Sequence, residues 1–90
     1  MSCRLIGTIR ITYSEIVEKL GNPNRVNDDS ESKVKWSIRV PDKNYKIYIY
    51  DWNMRRVPYG EYDWHIGGYE EDDLETIQNI FVDKIITIAY

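Results

Sequence analysis

From Val34 to Val40 apolar and polar residues alternate without a break: Val34, Trp36, Ile38 and Val40 against Lys35, Ser37 and Arg39. A period of two gives one apolar and one polar face only when the chain is extended, so this stretch predicts a half-buried strand. Pro41 to Asn44 follows as a tight turn, since proline presets the φ angle that the second turn position needs. Tyr45 to Trp52 is then the return strand of a hairpin, and Glu61 to Ile66 is a third strand with Tyr62, Trp64 and Ile66 inward. Gly67-Gly68 is expected to end it in a sharp turn. Together, 34–68 predict a three-stranded antiparallel meander, and the rest of the chain is what packs on it.

The second strand departs from simple alternation. With Tyr45, Ile47 and Ile49 on the core face, Lys46, Tyr48, Tyr50 and Trp52 point the other way, so both of its faces are aromatic or apolar. The segment 34–68 holds all three tryptophans, five of the eight tyrosines and the single histidine, His65. Tyrosine and tryptophan combine a large apolar body with a polar tip and suit half-buried positions and interfaces.

Flanking segments follow from local chemistry. Arg4 to Ile11 is isoleucine-rich and predicts a strand or an extended lead-in. Thr12 and Glu15 have the spacing of a capping box, with Ser14 as the alternative cap, and open a short helix to Leu20. Ile16, Val17 and Leu20 form its apolar side, Gly21 stops it and Pro23 prevents its continuation. Asn22 to Lys33 is a polar loop, and Asn53 to Gly60 is a second loop carrying Arg55 and Arg56. A second helix is predicted over Glu70 to Phe81, with Glu70, Glu71, Asp72 and Asp73 at its positive end and Leu74, Ile77, Ile80 and Phe81 as its apolar stripe. Ile85 to Ala89 is rich in β-branched residues and is assigned as a last strand rather than a continued helix. The fold class is α+β: one domain over 1–90, a two-layer sandwich of antiparallel meander with both helices on the face that holds Trp36, Ile47, Ile49 and Trp64.

Composition narrows the function classes. A net charge of −3 argues against non-specific nucleic-acid binding. One cysteine, Cys3, allows no internal disulfide and predicts a reducing, cytoplasmic setting. No apolar run approaches the ~20 residues of a membrane span. One histidine and one remote cysteine give no metal-ligand spacing, and no cofactor is expected. Asp63 and His65 share a strand face as an acid–base pair needs, but no nucleophile accompanies them, so no catalytic residue is assigned and the chain is expected not to be an enzyme. Gly67-Gly68 before a helix resembles an anion cradle, yet four carboxylates in the next turn would repel phosphate.

The expected binding surface is therefore the face away from the helices: Arg39, Lys46, Tyr48, Tyr50, Trp52 and His65, with Arg55 at the adjoining loop tip. Aromatic rows beside basic side chains serve protein hot spots and also stack nucleotides or single-stranded nucleic acid. The same row also suits packing within the chain or a homodimer. A resemblance bears on the choice. Gly7-Thr-Ile-x-x-Thr-Tyr13-x-Glu15-Ile-Val-x-x-Leu-Gly21-x-Pro23, Trp36-x-Ile, Ile49-Tyr-Asp-Trp52 and above all Trp64-His-Ile-Gly-Gly68 resemble a group of small proteins of bacteriophages and other DNA viruses. The match spans nearly the whole chain and departs at the Ile-rich C-terminal segment and in a shorter loop before Glu61. It carries over no catalytic residue. It implies a viral or prophage-type protein acting in the cytoplasm of an infected cell, and by analogy one that inhibits or sequesters a host protein by contact.

Overall fold

The computed structural model describes residues 3–25, 32–52 and 56–89. Strand β1 (Arg4–Ile11) leads into helix α1 (Tyr13–Leu20), and a two-residue strand β2 (Asn24–Arg25) follows. Strands β3 (Val34–Arg39), β4 (Lys46–Tyr50) and β5 (Tyr62–Gly68) form the meander, followed by helix α2 (Asp73–Ile80) and strand β6 (Ile85–Ile88). All six strands join one antiparallel sheet in the order β2-β3-β4-β5-β1-β6. Among the described residues, no helix is long and apolar enough to cross a membrane.

The α+β two-layer architecture follows from which side chains each strand turns inward. Trp36, Ile49 and Ile66 lie abreast across β3, β4 and β5, and Trp64 lies beside Ile9 of β1. These residues form one hydrophobic cluster with Ile16 of α1, with Leu74 and Ile77 of α2 and with Phe81 just beyond it. Both helices therefore cover the same face of the sheet. A bulge between Leu5 and Gly7 resets the alternation of β1, so that Ile6 is buried along with Ile9 and Ile11 while Leu5 stays on the open side.

Helix α1 is only eight residues long and would be marginal alone. It is fixed by the capping box, in which Glu15 N–H donates to Thr12 Oγ1 and Thr12 N–H donates to Glu15 Oε1, and by the burial of Ile16. Gly21 ends it at a φ of 83°, a left-handed value that glycine takes without steric cost. The Glu15 carboxylate also accepts a hydrogen bond from Lys84 Nζ, tying α1 to the segment before β6. These donors hold its pKa down at about 2, below the ordinary 4.5. A depressed carboxylate contributes stability that is complete above pH 4.5 and is lost as pH falls toward 2. Glu15→Gln should remove that part of the acid sensitivity, measured as a flatter dependence of the urea midpoint on pH between those limits.

The β3–β4 turn shows a second local effect. Lys43 N–H donates to Val40 O at 3.2 Å, and Asp42, after Pro41, has a φ of 64°. A positive φ at this turn position is costly for a residue with a Cβ. Asp42→Gly should therefore stabilise the fold by up to about 1 kcal/mol, read as a higher urea midpoint at unchanged slope.

Several boundaries differ from the sequence reading, among them the second meander strand, which spans Lys46–Tyr50 rather than 45–52. Part of the predicted loop 22–33 is strand: β2 pairs with β3, and Asn24 Nδ2 donates to Ser37 Oγ at 3.3 Å. Residues 26–31 lie outside the described residues. Gly67 and Gly68 are not a turn but the buried end of β5. A Cβ on Gly67 would lie 2.7 Å from Cys3 Sγ, and one on Gly68 would lie 2.7 Å from Ile6 Cδ1. Glycine is needed there for close approach, not for an unusual φ. Helix α2 starts at Asp73 rather than Glu70. The Asp73 carboxylate, 2% exposed, accepts from the N–H groups of Tyr69 and Glu70 at 3.0 and 3.1 Å. It thereby holds residues 69–72 as a turn ahead of the helix.

Candidate functional site

The face opposite the helices is a grid set by strand register. One row reads Lys35, Tyr50, His65, Thr8, Thr87 across β3, β4, β5, β1 and β6. The next holds Ser37, Tyr48 and Gly67, and the one beyond holds Arg39 opposite Lys46. Because Gly67 carries no side chain, the Tyr48 row drops beside the Tyr50 row and opens a cleft of about 340 Å³. Tyr48, Tyr50, Trp52 and Tyr69 line it, together with Cys3, Ser32 and Lys35.

Its aromatic walls contact one another. The Tyr50 and His65 rings stack at 5.6 Å between centroids and 28° between planes. Trp52 stands against both, 6.4 Å from Tyr50 and 6.3 Å from His65. The chain leaves β4 after Tyr50, and Trp52 is placed by its backbone N–H donating to Tyr62 Oη at 3.1 Å. Its side chain remains 46% exposed. Lys35 Nζ lies 4.8 Å from the Tyr48 ring centroid, a cation–π contact on the cleft wall.

Electrostatically the cleft is neutral but for that lysine. Burial pushes the Cys3 thiol up, with Lys35 acting the other way. Burial, with Cys3 and Tyr62 nearby, also pushes the Tyr50 hydroxyl up. Burial pulls His65 down against the carboxylates of Asp51 and Asp63, which favour its charged form. At neutral pH these three groups are uncharged, and Lys35 is the lone formal charge among the lining residues.

Of the site residues predicted from sequence, Tyr48, Tyr50, Trp52 and His65 come together here. Arg39 and Lys46 lie on the same face one row further out and do not line the cleft. They stand directly opposite each other as like charges, an unfavourable cross-strand pair unless an anion lies near. Arg55 lies outside the described residues. Asp63 and His65 do share a face, but Asp63 is engaged by Arg10 at 3.2 Å, and no hydrogen bond links it to His65. Among the described residues, no group of three or more His, Cys, Asp or Glu side chains converges as a metal site would need.

Two kinds of contributor escaped the sequence reading. Cys3 and Tyr69 reach the cleft from either side of Gly67, through the pairing of β1 with β5 and the end of β5, and no local pattern signals that. Asp51 is the other kind of omission. It sits at an inward position of the Ile49-Tyr-Asp-Trp52 run and is fully buried. Its Oδ1 accepts from the N–H groups of Lys33 and Val34 at 2.7 and 3.0 Å. It therefore clamps the start of β3 to the end of β4 and fixes the chain from which Trp52 projects. An acidic residue where alternation demands an apolar one was the available signal.

No family model, no curated protein and no solved structure matches the chain.

Proposed function

We propose that this chain is a small binding protein of viral type that inhibits or sequesters a host protein by contact, without catalysing a reaction. The open aromatic face is the contact surface. The observation that carries this reading is Trp52: a tryptophan nearly half exposed, held upright by Tyr62 and Asp51, at the mouth of an aromatic cleft on the side the helices leave bare. Tryptophan and tyrosine anchors around a cleft, with basic residues at the rim, are the composition of interface hot spots. Lys35, Arg39 and Lys46 make that face basic, so the partner surface it suits is apolar with acidic residues around it. The viral setting rests on the resemblance of Trp64-His-Ile-Gly-Gly68 and its companion segments to phage and DNA-virus proteins.

Within Trp64-His-Ile-Gly-Gly68 each residue has a packing reason here. Trp64 and Ile66 fill the core, His65 stacks under Tyr50, and the two glycines admit Cys3 and Ile6. The segment packs beneath the open face and supports the Tyr50 side of the cleft from below.

A second reading, a nucleotide or single-stranded nucleic acid stacked in the cleft, is favoured by Lys35 poised over Tyr48. The two are separated by capturing partners from bacterial and eukaryotic cell lysates on the immobilised chain, purifying the captured protein and titrating it. Trp52→Ser should weaken that protein roughly 30-fold or more, and Lys35→Glu should weaken it in a salt-dependent way. Equal affinity of the wild type and both variants for the purified partner would overturn the reading. Saturable binding of a fluorescent adenine nucleotide, lost in Trp52→Ser, would establish the second reading in its place.

A further inference from the structure

Strand β6 ends the sheet without the devices that usually protect an edge. Among the described residues no strand pairs with its outer side. Ile85–Ile88 contains no charge, no proline and no break in register, although charges, prolines and bulges are what blunt natural edges. Ile85 is 72% and Ile88 38% exposed. Ala89 N–H donates to Ile6 O at 3.0 Å, and inward and outward bonding alternate along an antiparallel pair. In the register Thr8 to Thr87 and Gly7 to Ile88, Ile86 and Ile88 therefore turn their N–H and C=O groups outward.

Beside this edge, on the helix side, runs a groove of about 390 Å³ between β6 and α2. Leu74, Ile86 and Ile88 form its floor, and Glu71, Asp72 and Glu75 stand along its rim. The ion pairs among the described residues, Arg10–Asp63, Lys43–Glu70 and Lys84–Glu15, leave those three carboxylates out. Arg4 lies in the smaller hollow beyond Ile88, which Glu71 also lines, and forms no ion pair with it.

Charge decides what such an edge accepts. A second copy of the chain, paired β6 to β6 about a two-fold axis, would carry both α2 helices on the same side of the joined sheet. Their acidic rims would then face each other, which opposes that dimer. An extended segment with basic side chains meets the same rim with opposite charge.

We propose that β6 takes up a basic, extended segment of a partner protein as a seventh strand of the sheet, a surface separate from the aromatic cleft. Its outward-bonding partners are the main-chain groups of Ile86 and Ile88. Lysine or arginine stems of the added strand lie over Ile86 and Ile88 and carry their charges to Glu71, Asp72 and Glu75. The alternate residues, apolar, cover Ile85 on the open side. Strand addition with main-chain bonds for affinity and alternate side chains for specificity is an established mode of peptide recognition.

The test is a fluorescence anisotropy titration of the full chain with a labelled peptide of alternating arginine and valine. Peptides of the same length alternating glutamate with valine, and arginine with glycine, serve as controls. The arginine–valine peptide should bind, the glutamate–valine peptide should not, and the arginine–glycine peptide should bind about tenfold more weakly for want of strand propensity. Bound peptide should slow amide hydrogen exchange at Ile86 and Ile88. Ile88→Pro removes one outward donor and leaves the inward-bonded Thr87 intact, and should cost about tenfold or more in affinity. Glu71→Lys/Glu75→Lys, on the exposed side of the α2 segment, should do the same and flatten the salt dependence. Should Ile88→Pro fail to fold, the charge reversal decides alone. Absence of binding, binding unchanged by these variants, or a dimer that Ile88→Pro converts to monomer would each overturn the proposal.

Discussion

Trp64→Ala is expected to destabilise the protein by about 3–5 kcal/mol. That is a large share of the roughly 5–15 kcal/mol available to a small domain. Trp64 is fully buried and stands edge-on to Trp36, Tyr62 and, at a tilt, Tyr13. Its Nε1–H donates to Ile11 O at 3.1 Å, so truncation both leaves a cavity and removes a buried hydrogen bond. Urea denaturation followed by far-UV circular dichroism reads the loss. Trp64→Phe separates the two contributions: most of the volume returns, the hydrogen bond does not, and the cost should fall to about 1–3 kcal/mol. Equal stability of Trp64→Ala and wild type would mean that the sheet and helices do not share the core described here.

Asp73→Ala should cost about 2–4 kcal/mol, for a different reason. Little volume is lost, but three donors lose one acceptor group: the Tyr69 and Glu70 amides on Oδ2 and the Tyr45 hydroxyl on Oδ1 at 2.8 Å. The carboxylate thus fixes the turn that brings α2 off the end of β5 and pins it to the start of β4. It leaves a second signature. Burial, and then the hydrogen bond and negative charge of Asp73, push the Tyr45 hydroxyl up to about 12 from 10. A tyrosine raised in the folded state contributes stability below pH 10 that is lost as pH rises toward 12. In Asp73→Ala, ultraviolet titration should show Tyr45 ionising at lower pH than in wild type, because the part due to Asp73 is gone and the part due to burial remains. Unchanged titration would place Tyr45 elsewhere.

Where sequence reading succeeded, one physical signal dominated. The alternation Val34–Val40, the Thr12–Glu15 capping box and the glycine at position 21 each depend on neighbours in the chain, and β3 begins, and α1 begins and ends, where those signals put them. Ile85–Ile88 was separable from helix by β-branching alone, and it is a strand. Gly67 and Gly68 misled for the opposite reason. Their role comes from Cys3 and Ile6, more than sixty residues earlier in the chain, and a Gly-Gly pair read locally can only suggest a turn. The acidic run Glu70–Asp73 misled similarly. Its dipole logic holds for any of the four residues, but only Asp73 is buried against two amides and a tyrosine. The aromatic row was legible as Tyr48, Tyr50 and Trp52, since a period of two puts them on one face. The alternation of 61–66 put His65 on that face too, but that its ring stacks on Tyr50, that Lys35 rather than Arg39 or Lys46 reaches the cleft, and that Cys3 and Tyr69 close it depend on strand register across β1, β3, β4 and β5. Register is a property of the sheet, not of any one strand.

A docking role requires the open face to be available to a partner of another kind rather than closed by a second copy of the chain. Solution mass by light scattering, on wild type and on Tyr50→Ala/Trp52→Ala, tests that most directly. Both should run as a monomer of 10.8 kDa, with folding of the double variant verified by circular dichroism. A wild type of twice that mass that the double substitution converts to a folded monomer would show the aromatic face to be a self-association surface and would contradict its role as a docking site.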